Sequence, residues 1–143
     1  SNNLEKEAKT RGVNPKRIIF ASYLPAEEHL KRISFADLFL DTFPCNAHTT
    51  ASDAVRMGVP VITLIGNTFA SRVAASILSC LNMEELITSN KTEYEKLGIE
   101  LATNNKKFAT IKNSLKVSVS KSPLFDSFKF TKNLENLYLQ ILK

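Results

Sequence analysis

The stretch richest in chemistry is Asp41-Thr42-Phe43-Pro44-Cys45-Asn46-Ala47-His48-Thr49-Thr50-Ala51-Ser52-Asp53. A short apolar run, Ala36 to Asp41, precedes it, and apolar residues at helical spacing (Ala51, Ala54, Val55) follow it as far as Gly58. A loop leading from a buried strand into a helix is where open α/β sheets take their ligands. Small and hydroxyl-bearing residues leave the first N–H groups of such a helix free to meet an anion, and Thr49 and Thr50 add hydroxyl donors at the same point. A phosphate suits that corner. Asp53, one turn further on, is placed to accept hydrogen bonds from a ribose diol. The same residue types also serve as plain helix caps and dipole partners, so the segment alone leaves both readings open.

His29 and His48 are the only histidines. Each is expected near the carboxyl end of a strand, where it could stack on or hydrogen-bond to a ligand. Cys45 with His48 is too thin a cluster for zinc, and no third group orients them as a thiol nucleophile and base. Arg72 falls in the first turn of another expected helix. Its charge opposes the dipole there, the kind of misfit accepted where a cation has a task. Neither a dinucleotide-binding glycine fingerprint nor a P-loop is present, which weighs against dehydrogenase and ATPase chemistry.

These residues need a scaffold, and hydrophobic patterning predicts one. A short helix runs from Leu4 to Gly12. A strand over Arg17-Ile18-Ile19-Phe20-Ala21 and a helix over Ala26 to Arg32 follow. Next come strands over Ala36–Asp41 and Val59–Ile65, with the Thr49–Met57 helix between them and a Phe69–Leu81 helix after them. Strands of continuous apolar character separated by helices imply a parallel sheet covered on both faces. About three strands are evident. From Met83 onward the pattern reads as wholly helical: a helix capped by Asn90 or Thr92, a break at Asn104-Asn105, a basic helix to about Ser120 and a stop at Ser122-Pro123. An aromatic patch (Leu124, Phe125, Phe128, Phe130) then precedes a helix with Leu134, Leu137, Tyr138, Ile141 and Leu142 on one face. We expect one α/β domain, with a Rossmann-like part over about residues 11–82 and a helical part over 83–143.

The 143 residues are 43% hydrophobic and 23% charged with four Gly and five Pro, a mix that supports a packed core. No apolar run is long enough to span a bilayer, and the first residues lack a signal-peptide layout. A cytoplasmic protein with reduced Cys45 and Cys80 is expected. The net charge of +5 is concentrated in residues 101–143, which carry eight Lys against two acidic residues. Those lysines surround helical apolar positions with no arginine and little aromatic interleaving, so a solvated helical face is expected rather than a nucleic-acid surface.

The runs Arg17-Ile18-Ile19-Phe20, Glu27-Glu28-His29, Leu40-Asp41-Thr42, His48-Thr49-Thr50 with Asp53, Gly58-Val59-Pro60-Val61 and Ala70-Ser71-Arg72-Val73-Ala74-Ala75-Ser76 resemble the C-terminal catalytic lobe of the O-linked N-acetylglucosamine transferase family. That family also includes SPINDLY-type protein O-fucosyltransferases and bacterial proteins with tetratricopeptide repeats. Ser122-Pro123-Leu124-Phe125 and Leu137-Tyr138-Leu139-Gln140 resemble its closing segment. The resemblance implies an inverting glycosyltransferase of GT-B architecture that passes a sugar from a nucleotide donor such as UDP-N-acetylglucosamine to Ser or Thr of a protein. By position, it implies that His29 lies against the nucleotide and that Arg32 and the backbone near Leu24 contact the base. His48, Thr49 and Thr50 would hold the diphosphate, and Asp53 the ribose. No metal cofactor is expected, since helix N–H groups and hydroxyls would neutralise the leaving diphosphate.

Ala26 stands where the family often has Lys, and Ala47 where it commonly has Gly. No tetratricopeptide period, second catalytic lobe or first part of this lobe is found. The chain is therefore expected to be an excised piece, with Ser1-Asn2 as a cloning scar, the main catalytic base elsewhere and no turnover by itself. An exposed sheet edge would allow a homodimer. Alternatives are a nucleotide-binding or protein-docking module without transferase activity, and a transferase using GDP-fucose, UDP-glucose or another acceptor.

Overall fold

The computed structural model describes residues 2–142, so Ser1 lies outside it. The chain begins with helix α1 (Asn2–Thr10), closed by Gly12 in the left-handed region, and continues into a turn at Pro15–Arg17. Helix α2 (Ala26–Ile33) carries acidic residues in its first turn and basic ones in its last, as the dipole favours. Strand β1 (Phe39–Leu40), helix α3 (Thr49–Arg56), strand β2 (Val61–Leu64) and helix α4 (Val73–Cys80) come next. Strand β3 (Ile87–Thr88), the helices α5 (Lys91–Thr103), α6 (Asn105–Lys121) and α7 (Ser127–Ile141) complete the chain.

The three strands form a parallel sheet in the order β1-β2-β3, with Phe39 opposite Val61 and Thr63 opposite Ile87. The central strand is covered on both faces: Val61, Ile62 and Thr63 are all buried. Around them pack Ala54 and Val55 of α3, Leu78 of α4, Leu101 of α5 and Ile111 and Leu115 of α6, with Leu81, Met83 and Leu86 closing the core. The strands are parallel, so the loops β1–α3, β2–α4 and β3–α5 all leave the same edge of the sheet. The architecture is the expected Rossmann-like α/β sheet with a helical tail.

Three local expectations are corrected. Arg17 to Ala21 is not a strand: Pro15–Arg17 is a tight turn capped by the Asn14 side chain on the Lys16 N–H, and Ile19 is 86% exposed. A strand needs a neighbour for its peptide groups, and no described residue pairs with this segment. The stretch after Met83 is not wholly helical. Ile87–Thr88 is the third strand, too short to break a helical reading, and the Thr88 hydroxyl reinforces its pairing by donating to the Thr63 carbonyl at 2.9 Å. Phe69 to Leu81 is not one helix either. A turn at Phe69–Ser71 precedes α4, because Thr68 and Ser71 form a reciprocal cap and Arg72 leaves helical geometry.

One expected cap and one expected break hold. Asn90 caps α5 by accepting from the Glu93 N–H at 2.9 Å, and Asn104 separates α5 from α6 and caps the latter. The tail is tied back by the Ser122 hydroxyl on the Cys80 carbonyl and by Arg56 over the Phe125 ring. The apolar side chains Phe128, Phe130, Leu137, Tyr138 and Ile141 of α7 are exposed, as is Leu142 at its C-terminal cap. Among the described residues no helix is long and apolar enough to cross a membrane.

Candidate nucleotide-binding site

The β1–α3 loop is set from behind by one buried carboxylate. Asp41 directly follows β1, and its N–H continues the ladder to the Ile62 carbonyl. Its Oδ1 accepts from the N–H groups of Thr42 at 2.8 Å and Ala47 at 2.7 Å, so the loop closes on itself across six residues. Its Oδ2 accepts from the buried Thr63 hydroxyl at 2.7 Å, which fixes the loop to β2. The Asp41 carbonyl in turn accepts from the Tyr94 hydroxyl of α5 at 2.8 Å. Burial, and secondarily the Asp41 charge, push that phenol up to about 12.

Asn46 adds a second tie. Its amide donates to the Thr42 carbonyl at 2.9 Å, its N–H donates to the Ala70 carbonyl, and its own Oδ1 is buried without a partner among the described residues. The loop tip turns Phe43 edge-on to Tyr94, with ring centroids 5.6 Å apart, and the Lys91 ammonium lies 5.4 Å from the Phe43 centroid. A cleft of about 560 Å³ opens here at the carboxyl ends of β2 and β3, lined by Phe43, Leu64, Asn67, Thr68, Asn90 and Lys91 among others. Patterning missed the contribution of Asn90 and Lys91 to this edge because the two-residue strand before them left no strand signal.

At the front of the same loop the polar groups are unemployed. His48 stands at the N-cap of α3 but its side chain makes no cap bond; its ring sits edge-on to Phe69 with centroids 6.0 Å apart. The first intrahelical bond runs from the Ser52 N–H to the His48 carbonyl, so the N–H groups of Thr49 and Thr50 have no acceptor within the helix. Both residues are exposed. No hydrogen bond engages the hydroxyls of Thr49 and Thr50 or the Asp53 carboxylate among the described residues.

The other expected contacts lie on α2, which packs against α3, and on the loop before it. His29 Nδ1 is 2.9 Å from an Arg32 guanidinium nitrogen, and the guanidinium also donates to the Ser22 carbonyl at 2.7 Å. Leu24 is two residues further along that loop and half-buried. The structure thus gathers the seven expected residues into two groups, on two neighbouring helices and the loops that lead into them. One comprises Leu24, His29 and Arg32; the other comprises His48, Thr49, Thr50 and Asp53. No hydrogen bond links the groups directly. His29 belongs to a helix rather than to a strand end, because the strand expected before it does not form. Arg72 is used structurally and donates to the Gly66 carbonyl at 3.1 Å. Cys45 and Cys80 are free thiols, and among the described residues no group of three His, Cys, Asp or Glu side chains is arranged to hold a metal ion.

A parallel sheet with helices on both faces, its loops gathered at the carboxyl edge, is the Rossmann-like class of lobe, and ligands of that class bind at this edge. Comparison with known proteins places it more closely. The sequence profile described as "Glycosyl transferase family 41" matches residues 1–134, and the chain belongs to that family. It is 38% identical over 135 residues to the Arabidopsis thaliana protein named "Probable UDP-N-acetylglucosamine--peptide N-acetylglucosaminyltransferase SEC", a match covering 94% of this chain and 14% of that protein. It is 34% identical over 140 residues to the UDP-N-acetylglucosamine--peptide N-acetylglucosaminyltransferase of Caenorhabditis elegans, covering 98% of this chain and 12% of that protein. A mutant of the O-GlcNAc transferase of Thermobaculum terrenum superposes with a TM-score of 0.86 at 30% identity, over 96% of this chain and 26% of the other. The chain thus spans a small part of the length of its relatives.

Proposed function

We propose that the chain is the donor-binding portion of an inverting protein O-glycosyltransferase that takes UDP-N-acetylglucosamine or a closely related nucleotide sugar and passes the sugar to Ser or Thr of a protein. The observation that carries this reading is the start of α3. There, the N–H groups and hydroxyls of the exposed Thr49 and Thr50 have no partner among the described residues, and Asp41 ties the preceding loop from behind. A diphosphate leaving group accumulates negative charge as the anomeric bond breaks, and fixed donors aimed at that charge stabilise the transition state more than the ground state. They do so without a metal ion. In this reading His48, Thr49 and Thr50 receive the diphosphate, Asp53 accepts from the ribose diol, His29 lies against the nucleotide, and Arg32 with the Leu24 backbone borders the base. The acceptor hydroxyl attacks from the face opposite the diphosphate, and the base that takes its proton lies elsewhere in a longer enzyme, so the chain alone does not turn over.

Calorimetric titration with uridine diphosphate, with guanosine diphosphate as the comparison, tests the reading. Thr49→Ala or His48→Ala is expected to weaken binding by the roughly 1.5–3 kcal/mol of a hydrogen bond to a charged group. Unchanged affinity in both folded variants would remove the α3 corner from the site. Turnover by the isolated chain at the rate of a full-length relative would remove the claim that it needs the rest of the enzyme.

A further inference from the structure

A groove of about 430 Å³ lies between the C-terminal end of α3 and the second half of α6. Three cations, Arg56, Lys112 and Lys116, stand along it, and no acidic side chain lines it. All three are exposed, and none belongs to the ion pairs among the described residues, which join Arg11 to Glu7, Lys31 to Glu27 and Lys107 to Glu100. Met57 and Val119, both half-buried, supply apolar surface between the charges. Gly58 leads from the groove into the amino end of β2, so the groove lies at the opposite edge of the sheet from the start of α3. Local structure does not account for the three charges. The last carbonyls of α3 are already satisfied, since those of Asp53, Ala54 and Val55 accept from the N–H groups of Met57, Val59 and Gly58. Arg56 is not needed as a cap there, and its guanidinium lies 5.9 Å from the Phe125 ring centroid. The Lys112 ammonium lies 5.6 Å from that of Phe108. Ring faces attract and restrain both cations. Lys112 and Lys116 are one turn apart on α6, where like charges repel until an anion arrives.

We infer that this groove docks an acidic segment of a partner polypeptide, with carboxylates on Arg56, Lys112 and Lys116 and interspersed apolar side chains against Met57 and Val119. Charge complementarity selects the occupant: three unpaired cations on a concave surface without an acid call for carboxylates, and the restraint of two of them by rings lowers the ordering cost of pairing. Two carboxylates two positions apart on an extended segment lie about 7 Å from each other, close to the roughly 6 Å between side chains one turn apart on α6. A nucleic acid is matched less well, because the faces of Phe108 and Phe125 are covered by Lys112 and Arg56 and offer no platform for a base. A lipid surface is matched less well too, because the apolar residues form the floor between the charges rather than a projecting face. The inference does not rest on the donor-binding reading, since the two sites are at opposite edges of the sheet.

Fluorescence anisotropy with a labelled peptide of glutamate and valine tests the inference, against a peptide of glutamate and serine, a single-stranded oligonucleotide and vesicles containing phosphatidylserine. The glutamate–valine peptide is expected to bind, more tightly than the glutamate–serine peptide, and to weaken as sodium chloride is raised. Lys112→Gln/Lys116→Gln should weaken it about tenfold, the combined effect of two exposed charge pairs. Lys106→Gln/Lys132→Gln removes the same charge outside the groove and should weaken it by less than about twofold. All four lysines are exposed, and melting temperatures equal to wild type would show that the fold is unchanged. Equal losses in the two double variants would reduce the attraction to net charge and overturn the site. Absence of glutamate–valine binding would overturn it as well, as would tighter binding of the oligonucleotide or the vesicles that depends on Lys112 and Lys116.

Discussion

Removing the Asp41 carboxylate should loosen the β1–α3 loop at its root. Three donors converge on that group, but they are unequal. The Thr63 hydroxyl is fully buried, the Ala47 N–H half-buried, and Thr42 exposed enough to recover water. A buried donor left unpaired costs about 1–3 kcal/mol, whereas an exposed one costs little. Asp41→Ala is therefore expected to destabilise the fold by about 3 kcal/mol, most of it from the Thr63 hydroxyl and the Ala47 N–H. Asp41→Asn keeps an oxygen for the two peptide donors and turns an amide toward Thr63, so its cost should be nearer about 1–2 kcal/mol. Thr63→Val, nearly isosteric, removes the hydroxyl that Asp41→Ala orphans. The double variant Asp41→Ala/Thr63→Val should thus be more stable than the sum of the singles implies, with a coupling of about 1–2 kcal/mol. Urea unfolding followed by far-ultraviolet circular dichroism measures all four forms. A loss below about 1 kcal/mol for Asp41→Ala, or additivity within about 0.5 kcal/mol in the cycle, would refute the view that this carboxylate is the anchor.

Tyr94 makes stability depend on alkaline pH. Its phenol is pushed up to about 12 in the folded protein against about 10 in an unfolded chain. Between those values the folded state holds the proton that the unfolded state has lost, so stability should be full below pH 10 and decline as pH rises toward 12. Tyr94→Phe should lack that decline and cost about 1 kcal/mol at neutral pH for the lost bond to the Asp41 carbonyl, as urea midpoints across the pH series would show. Gly66→Ala should destabilise by about 1–3 kcal/mol. Its added Cβ would lie 2.5 Å from the Ser71 Oγ, and Ser71 is buried in the reciprocal cap with Thr68 and has no room to yield. A melting temperature equal to wild type would show that this turn relaxes freely.

What patterning could read is what a long periodic signal carries. The helices α3 and α6, the central strand and the stops at Gly58, Asn104 and Ser122-Pro123 follow from apolar spacing and cap chemistry that act within a few residues. The outer elements depend on partners. Arg17 to Ala21 has the composition of a strand but nothing to pair with, whereas Ile87–Thr88 has almost no signal of its own and becomes a strand because β2 offers a free edge. The candidate site divides in the same way. The anion corner at His48, Thr49 and Thr50 is local, a loop meeting a helix start, and is visible in the order of residues. The Asp41–Thr63–Tyr94 support joins positions 22 and 53 residues apart and has no local signature. The Arg32 bridge to Ser22 joins the last turn of α2 to an irregular segment where a strand was expected, so it too has no local signature.

The division of hydrogen bonding within the loop is itself an argument about its use. Behind it, Asp41 and Thr63 are fully engaged, and Tyr94 holds the strand end with its hydroxyl. In front of it, the Thr49 and Thr50 hydroxyls and their N–H groups have no protein partner among the described residues, although a serine or aspartate at position 48 would have capped the helix at once. If the loop served only to connect β1 with α3, the cheapest sequence would satisfy the helix start and leave the loop slack. Here the slack has been taken out by a buried charge, and the helix start has been left open under a histidine whose ring rests on Phe69 instead of capping. Rigid support with open donors lowers the reorganisation needed when a charged oxygen arrives, which favours binding of a group whose charge grows during reaction. On α2, the Arg32 guanidinium is held by the protein on two sides, against the Ser22 carbonyl and the His29 ring. The start of α3 is thus tied to the fold from behind and unspent in front, which is what the proposed donor-binding role requires of it.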